Sequence, residues 1–551
     1  PIEPLDLIIN EVLFNPDVGG SDFIELYNRS AKTVNLNGLA IANTQKESGD
    51  TLGSVSRDFL LFPGEYIVLT EQPGDISTRF SVPSPQYLLE AALPSLDDEG
   101  GNVTIRNAGV PIAAITYDES WYRAETPSNG GFSIELIQPE GPYDCPGNWR
   151  ASAAAQGGTP GRPNSLLGTT PDQAPPFLAK AIAESEFELR LTFSEVMDEA
   201  TLSNPGHYTL SPPLPAIAAI PQPGRTEILL VLDGTLQPGA AYQLQVSEAV
   251  TDCMGNPLPP GTAVATGLAE PIDSLDIVIN EVLFNPEPNG FDFIELYNRS
   301  AKVANLNGLA IANTQKETRD SLGEVTEDFL LFPGAYAVLT EAPDDIASRF
   351  SVRFPRALLE AGLPALDDKN GNVSLRLGGR VIDAFDYAES LHYPLLDSKE
   401  GVSLERISPE APTQDGGNWH SAASTVGFAT PTYENSQFFD KPGVLDEMFT
   451  ILTPTFSPDG DGFDDVLLID YETEQPGYTL NLHIYDSSGR LARRLANNET
   501  LPARGSLKWD GTGEDGSRAR IGIYVVWFEV FLPDGQVERD KKVVVLAGRL
   551  E

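Results

Sequence analysis

A long internal duplication limits the fold of this 551-residue chain more than any other feature. Residues 6–47 begin DLIINEVLFNPDVGGSDFIELYNRS, and residues 276–317 begin DIVINEVLFNPEPNGFDFIELYNRS. The match continues to Trp149 and Trp419, and a single-residue indel then shifts it before GTPGRPNS (158–165) and ATPTYENS (429–436). Because a domain typically holds about 100–150 residues, a repeat of this length is a whole domain and not one turn of a solenoid.

Within each copy the residue pattern predicts short strands joined by tight turns. The mostly apolar run over residues 7–14 leads into Asn-Pro, as a buried strand closed by a turn does. DFIELYN (22–28) alternates as a half-exposed strand should, and Asn37-Gly38 predicts a turn before another strand. Only GDISTRF (74–80) and DDIASRF (344–350) suit a helical turn. Each copy is therefore predicted to be a compact β-sandwich.

Two further regions complete a predicted row of four domains. The segment between the copies opens with the Pro-rich linker TTPDQAPP and continues with strand-like runs bounded by Pro-Gly and Gly-Asn turns. The last hundred or so residues carry a separate set of strand and turn motifs. We predict an all-β fold class with domains at 1–168 (first copy), 169–272 (middle region), 273–440 (second copy) and 441–551 (C-terminal region).

Several ordered motifs in both copies resemble the bacterial lamin-tail domain: INEVLFNP, DFIELYNRS, LNGLAIAN, then GNW, SAA and TPxxxNS. The resemblance implies an immunoglobulin-like β-sandwich of multi-domain extracellular proteins, sometimes found beside nucleases or phosphoesterases. It implies no catalytic residue. The basic character of nuclear lamin tails is missing here, which argues against DNA binding by analogy.

The other two regions resemble other Ig-like families. FSEVMD, HYTL, YQLQV and DCMGN in the middle region are similar to bacterial surface-layer Ig-like domains, which implies a spacer or presenter. IYD, GR, WDG and GIY in the C-terminal region resemble the flagellar-hook-cap type Ig-like domain and the C-terminal sandwich of gliding-bacteria surface proteins. That resemblance implies a type IX secretion signal of Bacteroidetes-type bacteria as one role for residues 441–551. Together the resemblances predict tandem Ig-like β-sandwich domains.

The charge of the chain limits the classes of molecule that it can bind. There are 80 acidic and 36 basic residues, a formal net charge of −44, so we predict no direct binding of nucleic acid. The acidic surface is interpreted either as a collector of divalent cations or as the ordinary solubilising surface of an extracellular protein. No run of about 18 apolar residues occurs, so we predict no transmembrane segment.

Only two cysteines occur, Cys145 and Cys253, and they lie in different predicted domains. We therefore favour two separate thiols over a bridge between domains, while whether they pair stays open. The chain opens with PIEPLDLIINEV, without the charged and apolar segments of a signal peptide. A removed signal peptide and a trimmed chain both explain this beginning.

The loop SPDGDGFDD (457–465) is the strongest candidate for chemistry. Alternating Asp and Gly place carboxylates two residues apart on a backbone that turns sharply, which suits the six to eight oxygen ligands of Ca²⁺. No Glu stands at the twelfth position, which is Asp470, and no flanking helices are predicted, so this is no EF-hand. The alternative is an acidic turn that closes a strand. The predicted Ca²⁺ ligands are Asp459, Asp461, Asp464 and Asp465.

Other polar residues are weaker candidates, each with a plain structural explanation. Two sets of acidic residues could bind a metal ion, but we interpret both as ordinary turns. They are Asp510, Glu514 and Asp515 in one hairpin, and the pairs Asp97-Asp98 and Asp367-Asp368. Six carboxylates lie on or beside strands: Glu11, Asp22, Glu25, Glu281, Asp292 and Glu295. Those on neighbouring strands could converge, but we interpret them as outward-facing and solvated. Trp121 and Tyr122 form either a sugar-stacking loop or packed aromatics, and we favour packing.

Catalysis has no support in the sequence. The four histidines His207, His392, His420 and His483 are scattered, and none has a zinc-like partner or an HExxH motif. Nucleophile elbows, phosphate loops and dinucleotide fingerprints are also missing. We predict that the chain is not an enzyme.

Three functions remain as hypotheses. The first is a secreted, non-catalytic cell-surface structural or adhesive protein, stiffened by Ca²⁺ and associated with the outer surface of a Bacteroidetes-type bacterium. The second is the non-catalytic portion of a secreted nuclease, phosphoesterase or other enzyme assembly. The third, weaker, is an array of carbohydrate-binding modules. A protein or surface glycan is the expected partner, and its identity stays open, as does the oligomeric state.

Overall fold

The computed structural model describes residues 2–44, 53–125, 130–313, 323–393, 396, 398–438, 447–451, 453–458 and 466–548. Its contacts divide the chain into two units, which are described separately. The first unit holds residues 1–235 and 242–266, and the second holds residues 236–241 and 267–551. Both units are built from mainly antiparallel sheets, with parallel strand pairs at sheet edges, such as Tyr66–Thr70 with Leu88–Glu90 and Tyr336–Thr340 with Leu358–Glu360, and this confirms the predicted all-β, tandem β-sandwich fold.

The first copy, in the first unit, has twelve short strands and one helix among its described residues. They are β1 Leu7–Leu13, β2 Phe23–Asn28, β3 Val34–Asn35, β4 Leu39–Ala42, β5 Gly53–Ser54, β6 Leu60–Leu61, β7 Tyr66–Thr70, α1 Pro73–Arg79, β8 Leu88–Glu90, β9 Gly100–Asn107, β10 Val110–Asp118, β11 Ile134–Leu136 and β12 Trp149–Ala151. Short 3₁₀ turns cover Pro85–Tyr87, Glu119–Glu125 and Pro146–Asn148. The helix lies where GDISTRF predicts it, and β4 follows the turn at Asn37-Gly38, whose glycine has φ 85°.

Two sheets form this sandwich: a six-stranded sheet of order β12-β11-β1-β2-β7-β8 and a four-stranded sheet of order β10-β9-β4-β5. The main core lies between them and includes Ile9, Ile24 and Ile105. The outer face of the six-stranded sheet is covered as well. Leu13 and Phe23 on that face pack with Ile76 of α1 in a second apolar cluster. All seven residues of β1 are consequently buried.

The middle region, in the same unit, is a smaller sandwich. Its elements are β13 Leu178–Ser185, β14 Glu188–Phe193, α2 Glu199–Leu202, β15 Tyr208–Ser211, β16 Ala216–Pro221, β17 Glu227–Leu232, β18 Tyr242–Val246 and β19 Ala263–Thr266, with a 3₁₀ turn at Pro205–His207. The sheets have the orders β13-β14-β17-β16 and β15-β18-β19. Strands β17 and β18 alternate between buried and more exposed residues, as half-buried strands should.

The second copy, in the second unit, repeats the first almost strand for strand. Its elements are β20 Ile277–Leu283, β21 Phe293–Asn298, β22 Ala304–Asn305, β23 Leu309–Ala312, β24 Gly323–Glu324, β25 Leu330–Leu331, β26 Tyr336–Thr340, α3 Pro343–Arg349, β27 Leu358–Glu360, β28 Asn370–Leu377, β29 Arg380–Ala388, β30 Leu404–Arg406 and β31 Trp419–Ser421. Its 3₁₀ turns are Pro355–Ala357, Glu389–Leu391, Gly416–Asn418 and Ser424–Val426. The larger sheet again has six strands, in the order β27-β26-β21-β20-β30-β31.

The C-terminal region, in the second unit, is a third kind of sandwich. Its strands are β32 Phe449–Thr450, β33 Thr455–Phe456, β34 Leu467–Glu472, β35 Thr479–Asp486, β36 Leu491–Thr500, β37 Arg504–Trp509, β38 Gly522–Phe531 and β39 Val537–Leu546. They form sheets of order β32-β34-β37 and β33-β39-β38-β35-β36 around a core that contains Trp509 and Phe528.

Candidate functional site

The predicted Ca²⁺ ligands have no described position in the structure. Asp459, Asp461, Asp464 and Asp465 lie outside the described residues. Across the residues that are described, no group of three or more His, Cys, Asp or Glu side chains is arranged to hold a metal ion. The calcium loop therefore stays a prediction.

The second acidic turn has the hydrogen bonds of an ordinary turn. Asp510 Oδ1 accepts hydrogen bonds from Thr512 N at 2.9 Å and Thr512 Oγ1 at 2.6 Å. Asp515 Oδ1 accepts in the same way from Ser517 N and Oγ. The side-chain hydrogen bonds from Thr512 and Ser517 hold the pKa of both carboxyls below the usual value.

Trp121 packs inside the first copy. It is only 8% exposed, and its ring lies 5.9 Å from that of Trp149. The Tyr122 hydroxyl donates to the Phe132 carbonyl at 2.9 Å. The prediction of packed aromatics is confirmed, and Trp121 is not an exposed platform for a sugar.

Three glutamates stand side by side on the outer face of the larger sheet of each copy. In the first copy Glu11 lies directly opposite Glu135 on one neighbouring strand and Glu25 on the other. The second copy repeats the row with Glu281, Glu405 and Glu295. We call each row a carboxylate clamp. All six side chains have no solvent-exposed surface.

The prediction that Glu11, Glu25, Glu281 and Glu295 face solvent is wrong. The face that carries them is covered by the chain segment that ends each copy, residues 159–166 in the first and 430–437 in the second, which we call the strap. Glu135 and Glu405 were not singled out from the sequence at all. A signal was present for Glu135, because the strand segment SIEL carries the same isolated Glu between apolar residues as FIEL; in SLER the Glu follows Leu404 but precedes Arg406.

The strap is bound to the clamp through its backbone and hydroxyl groups. Glu11 Oε1 accepts from Thr159 N at 2.7 Å, and Glu25 Oε2 accepts from Gly161 N at 2.5 Å. Glu135 Oε2 accepts from Ser165 Oγ at 2.7 Å and from Leu166 N at 3.1 Å.

The second copy makes the corresponding bonds to its own strap. Their donors are Thr430 N to Glu281, Thr432 N to Glu295, and Ser436 Oγ and Gln437 N to Glu405. Each clamp therefore fixes the segment that leads out of its copy.

One proton must sit within each clamp. The Thr159 hydroxyl lies 2.8 Å from Glu135 Oε1 and 3.2 Å from Glu11 Oε2, yet it has a single proton to donate. Both contacts are hydrogen bonds only when one of the two carboxyls, Glu11 or Glu135, is protonated and donates to Thr159. Burial and the negative charge of Glu135 together raise the pKa of Glu11 to about 8, which favours Glu11 as the holder of the proton.

Burial also raises the pKa of Glu25, Glu281, Glu295 and Glu405. Thr430 stands between Glu405 and Glu281 in the second copy just as Thr159 does in the first, and burial raises the pKa of Glu281 to about 8. Burial also raises the pKa of Glu25 and Glu295 well above the usual value. No lysine or arginine forms an ion pair with a clamp glutamate in the part of the chain that the structure describes.

Asp22 and Asp292 form a second pair of equivalent acidic sites. Both are half-buried, and burial raises the pKa of each to about 7, with smaller contributions from neighbouring carboxylates. For Asp22 these neighbours are Asp98 and Glu71. For Asp292, Asp368 and Glu341 line the same small cavity of about 250 Å³.

A disulfide joins the first copy to the middle region. Cys145 and Cys253 are bonded, with their Cα atoms 5.7 Å apart, so the favoured prediction of two separate thiols is wrong. Beside it, Arg225 pairs with Asp144 at 3.0 Å. The sequence hides this bond because 108 residues separate the two cysteines and Asp415 stands at the position of Cys145 in the second copy.

The second copy is joined to the C-terminal region without a disulfide. Thr479 Oγ1 donates to the Tyr393 hydroxyl at 2.8 Å, and Ala503 N donates to the Ser436 carbonyl of the strap at 3.0 Å. Arg504 pairs with Glu434 at 2.6 Å. Strap residues thus take part in the joint to the following domain.

Comparison with known families supports the predicted domain order. The model described as Lamin Tail Domain matches residues 3–119 and 271–389, and the model described as Bacterial Ig-like domain matches residues 163–266. The chain therefore contains two lamin-tail regions with a bacterial Ig-like domain between them. Neither model reaches residues 441–551, so the resemblance of that region to hook-cap and gliding-motility domains stays a prediction. No curated protein matches the sequence.

Similarity to solved structures is remote. The N-terminal part of the bacterial S-layer protein SbsC is 12% identical, covering 39% of this chain and 44% of that one, with a TM-score of 0.17. A DUF4876 family protein from Bacteroides thetaiotaomicron is 11% identical, covering 41% and 84%, with a TM-score of 0.18. Dimeric latent PorU from Porphyromonas gingivalis is 11% identical, covering 68% and 32%, with a TM-score of 0.15.

These TM-scores are too low to transfer a function. The chain also spans less than half of the SbsC fragment. Separately, none of the described helices is long and apolar enough to cross a membrane.

Proposed function

We propose that this chain is a secreted, non-catalytic structural and adhesive protein of the cell surface, built as a row of β-sandwich domains with fastened joints. The observation that carries the proposal is the Cys145–Cys253 disulfide between two domains. Disulfides persist in oxidising compartments such as the cell exterior, and they are rare in the cytosol. A bond between domains, unlike one within a domain, restricts how the domains move against each other.

The two straps support the same function. Each is held by buried hydrogen bonds to its own domain and then continues into the next one. Connections between domains are commonly exposed and flexible. A chain that instead fastens these connections is suited to holding the two domains of each unit together. Two nearly identical lamin-tail regions would present the same surface twice, and this would raise avidity for a repetitive protein or glycan partner.

We expect the two cysteines to be fully oxidised in protein taken from its natural host. The denatured protein should gain no mass from a thiol-alkylating reagent before reduction, and should gain the mass of two adducts after reduction. Reduction of the folded chain should lower the free energy of unfolding of the first unit by about 2–4 kcal/mol. Alkylation without prior reduction would contradict both the fastened joint and the extracellular location.

We further propose that Ca²⁺ bound by Asp459, Asp461, Asp464 and Asp465 stiffens the C-terminal region. The support is the alternation of Asp and Gly in this loop. The motifs of the same region support export by type IX secretion and attachment to the outer surface of a Bacteroidetes-type bacterium.

Millimolar CaCl₂ should raise one thermal transition relative to EGTA, since a ligand that binds only the folded state stabilises it. Asp461→Ala should abolish the shift. Asp515→Ala is the matched control, because it alters an acidic turn of the same region whose carboxylate already has hydrogen-bond donors. Identical melts in CaCl₂ and EGTA would show that the loop is only a turn.

A further inference from the structure

The second unit contains a cleft of about 730 Å³, to which the proposed structural function assigns no role. It lies where the second copy meets the C-terminal region, and both contribute to its wall. Sites for small ligands typically measure about 300–1,000 Å³ and often lie between domains. The first copy has no such neighbour in its sequence, because the bacterial Ig-like domain follows it instead.

Four aromatic residues line the cleft: Phe291, Phe350, Tyr393 and Phe428. Phe291 is 39% exposed, although large apolar side chains are usually more covered. The Tyr393 ring is held in place because its hydroxyl accepts a hydrogen bond from Thr479.

Comparison of the two copies shows that Phe350 has a counterpart in the first copy, Phe80, whereas Phe291 and Phe428 are specific to the second copy. Ser21 stands at the position of Phe291, and Gly157 stands at the position of Phe428. Phe428 has φ 68°, in the left-handed region where a bulky residue is strained, while Gly157 has φ 83° at no such cost. Strained backbone of this kind, costing about 1–3 kcal/mol, concentrates at binding sites.

Polar groups stand among the aromatic ones. Glu287, Glu400, Asn497 and Asn498 line the cleft together with one cation, Arg349. Arg349 is already engaged, as its Nε donates to Asp345 at 2.8 Å. The cleft therefore offers amide and carboxylate groups for hydrogen bonds, and those of its lining residues that the structure describes carry no free positive charge.

These properties select one class of ligand. An anionic ligand would meet two carboxylates in a chain of net charge −44, and a purely apolar ligand would leave the amides and carboxylates unpaired. A pyranose has apolar C–H faces that pack on aromatic rings, and hydroxyls that both donate to carboxylates and accept from amides. We propose that this cleft binds a neutral saccharide.

The test uses the full chain and four soluble probes: cellohexaose, laminarihexaose, mannohexaose and xylohexaose. Calorimetric titration should detect binding of at least one. Phe291→Ser, which restores the residue of the first copy, should weaken that binding at least about tenfold, a loss of about 1.4 kcal/mol. Phe354→Ser is the matched control: Phe354 is 63% exposed, lies outside the cleft lining, and also corresponds to a serine, Ser84. It should bind as the wild type does.

Phe428→Gly provides a second variant, because the first copy shows that the domain accepts glycine at this position. It too should weaken binding about tenfold, with the near-ultraviolet circular dichroism unchanged. Failure of all four saccharides to bind, or binding that survives both cleft substitutions, would overturn the proposal. Tighter binding of an oligogalacturonate than of every neutral probe would also overturn it. None of these results depends on the disulfide or on the calcium loop.

Discussion

Asp383→Ala is expected to lower the free energy of unfolding of the second copy by about 3–5 kcal/mol. Asp383 and Arg406 are only 2% and 1% exposed at their side chains, and they face each other at 3.7 Å. Removing the carboxylate leaves the guanidinium buried without a counter-ion. It also removes the acceptor of the Thr413 hydroxyl at 2.6 Å and of Ile279 N at 2.8 Å.

The first copy shows how the same site is built without charge. Leu136 stands at the position of Arg406 and Ala113 at that of Asp383, and both are buried. Burial raises the pKa of Asp383 and lowers that of Arg406 to about 10, so desolvation opposes both charges. Replacing a buried ion pair by apolar residues is often neutral or stabilising. We therefore expect Arg406→Leu to restore stability when it is added to Asp383→Ala.

Hydrogen exchange of the full chain separates the two copies in one experiment. Asp383→Ala should speed the exchange of the β20 amides, while β1 in the same molecule serves as the unchanged reference. The double variant should exchange more slowly at β20 than Asp383→Ala alone. In the converse control, Ala113→Asp should destabilise the first copy, because Leu136 offers no counter-ion. If the double variant were clearly less stable than the wild type, the ion pair would stabilise the fold by more than its desolvation costs.

Local patterns in the sequence predicted the elements of this fold well. The duplication is visible in the sequence itself. The strand after Asn37-Gly38 depends only on residues that are neighbours in the sequence, and so do the short helices at Pro73–Arg79 and Pro343–Arg349. Trp121 was likewise assigned correctly to packing, since a large apolar ring is more stable when it is buried.

Features that depend on distant segments could not be predicted in this way. Glu11 looks solvated on its own strand, and only the strap about 150 residues later covers it. Cys145 is bonded to a cysteine in another domain, and the second copy gives no hint of this bond because it has Asp415 at the position of Cys145. Arg406 and Asp383 both replace apolar residues of the first copy, but no pattern among their sequence neighbours shows that the two side chains are in contact. In each case the deciding contact is long-range.

Stability should fall as the pH rises from about 6.5 to about 9, because the clamps bind protons more tightly in the folded state. The pKa of Glu11 and of Glu281 is about 8 in the folded chain, against an ordinary value of 4.5. Between those values the folded state holds protons that the unfolded state has released, so deprotonation favours unfolding. Each pH unit between 6.5 and the folded pKa of about 8 corresponds to about 1.4 kcal/mol, so we expect this carboxyl to cost about 2 kcal/mol of stability in each copy. Urea unfolding followed by circular dichroism would measure it.

Other groups set the best pH window for this measurement. Asp22 and Asp292, with pKa values of about 7, change stability in the same direction as the clamps. His392 acts oppositely, because burial lowers its pKa to about 4 and its contribution to stability therefore rises with pH up to its ordinary value of 6.5. Above pH 6.5 this opposing effect has ended and the carboxyl groups dominate.

Glu11→Gln with Glu281→Gln should remove the part of this pH dependence that Glu11 and Glu281 contribute, without unfolding the chain, while Glu25 and Glu295 keep their own contribution. A glutamine amide reproduces the protonated glutamate, since its oxygen accepts from Ser133 and Thr159 N while its nitrogen donates to the Thr159 hydroxyl. The double variant should therefore match the wild type near pH 6.5 and exceed its stability near pH 9.

Glu135→Gln with Glu405→Gln is the matched control, and it should destabilise the chain at every pH. Glu135 accepts from Thr159, Ser165 and Leu166, so an amide nitrogen placed there would face a donor. The two double variants make the same chemical change on neighbouring strands, and only the position of the proton distinguishes them. If both flattened the pH profile equally, the proton would not reside on Glu11 and Glu281, and the clamp would be a set of ordinary buried hydrogen bonds.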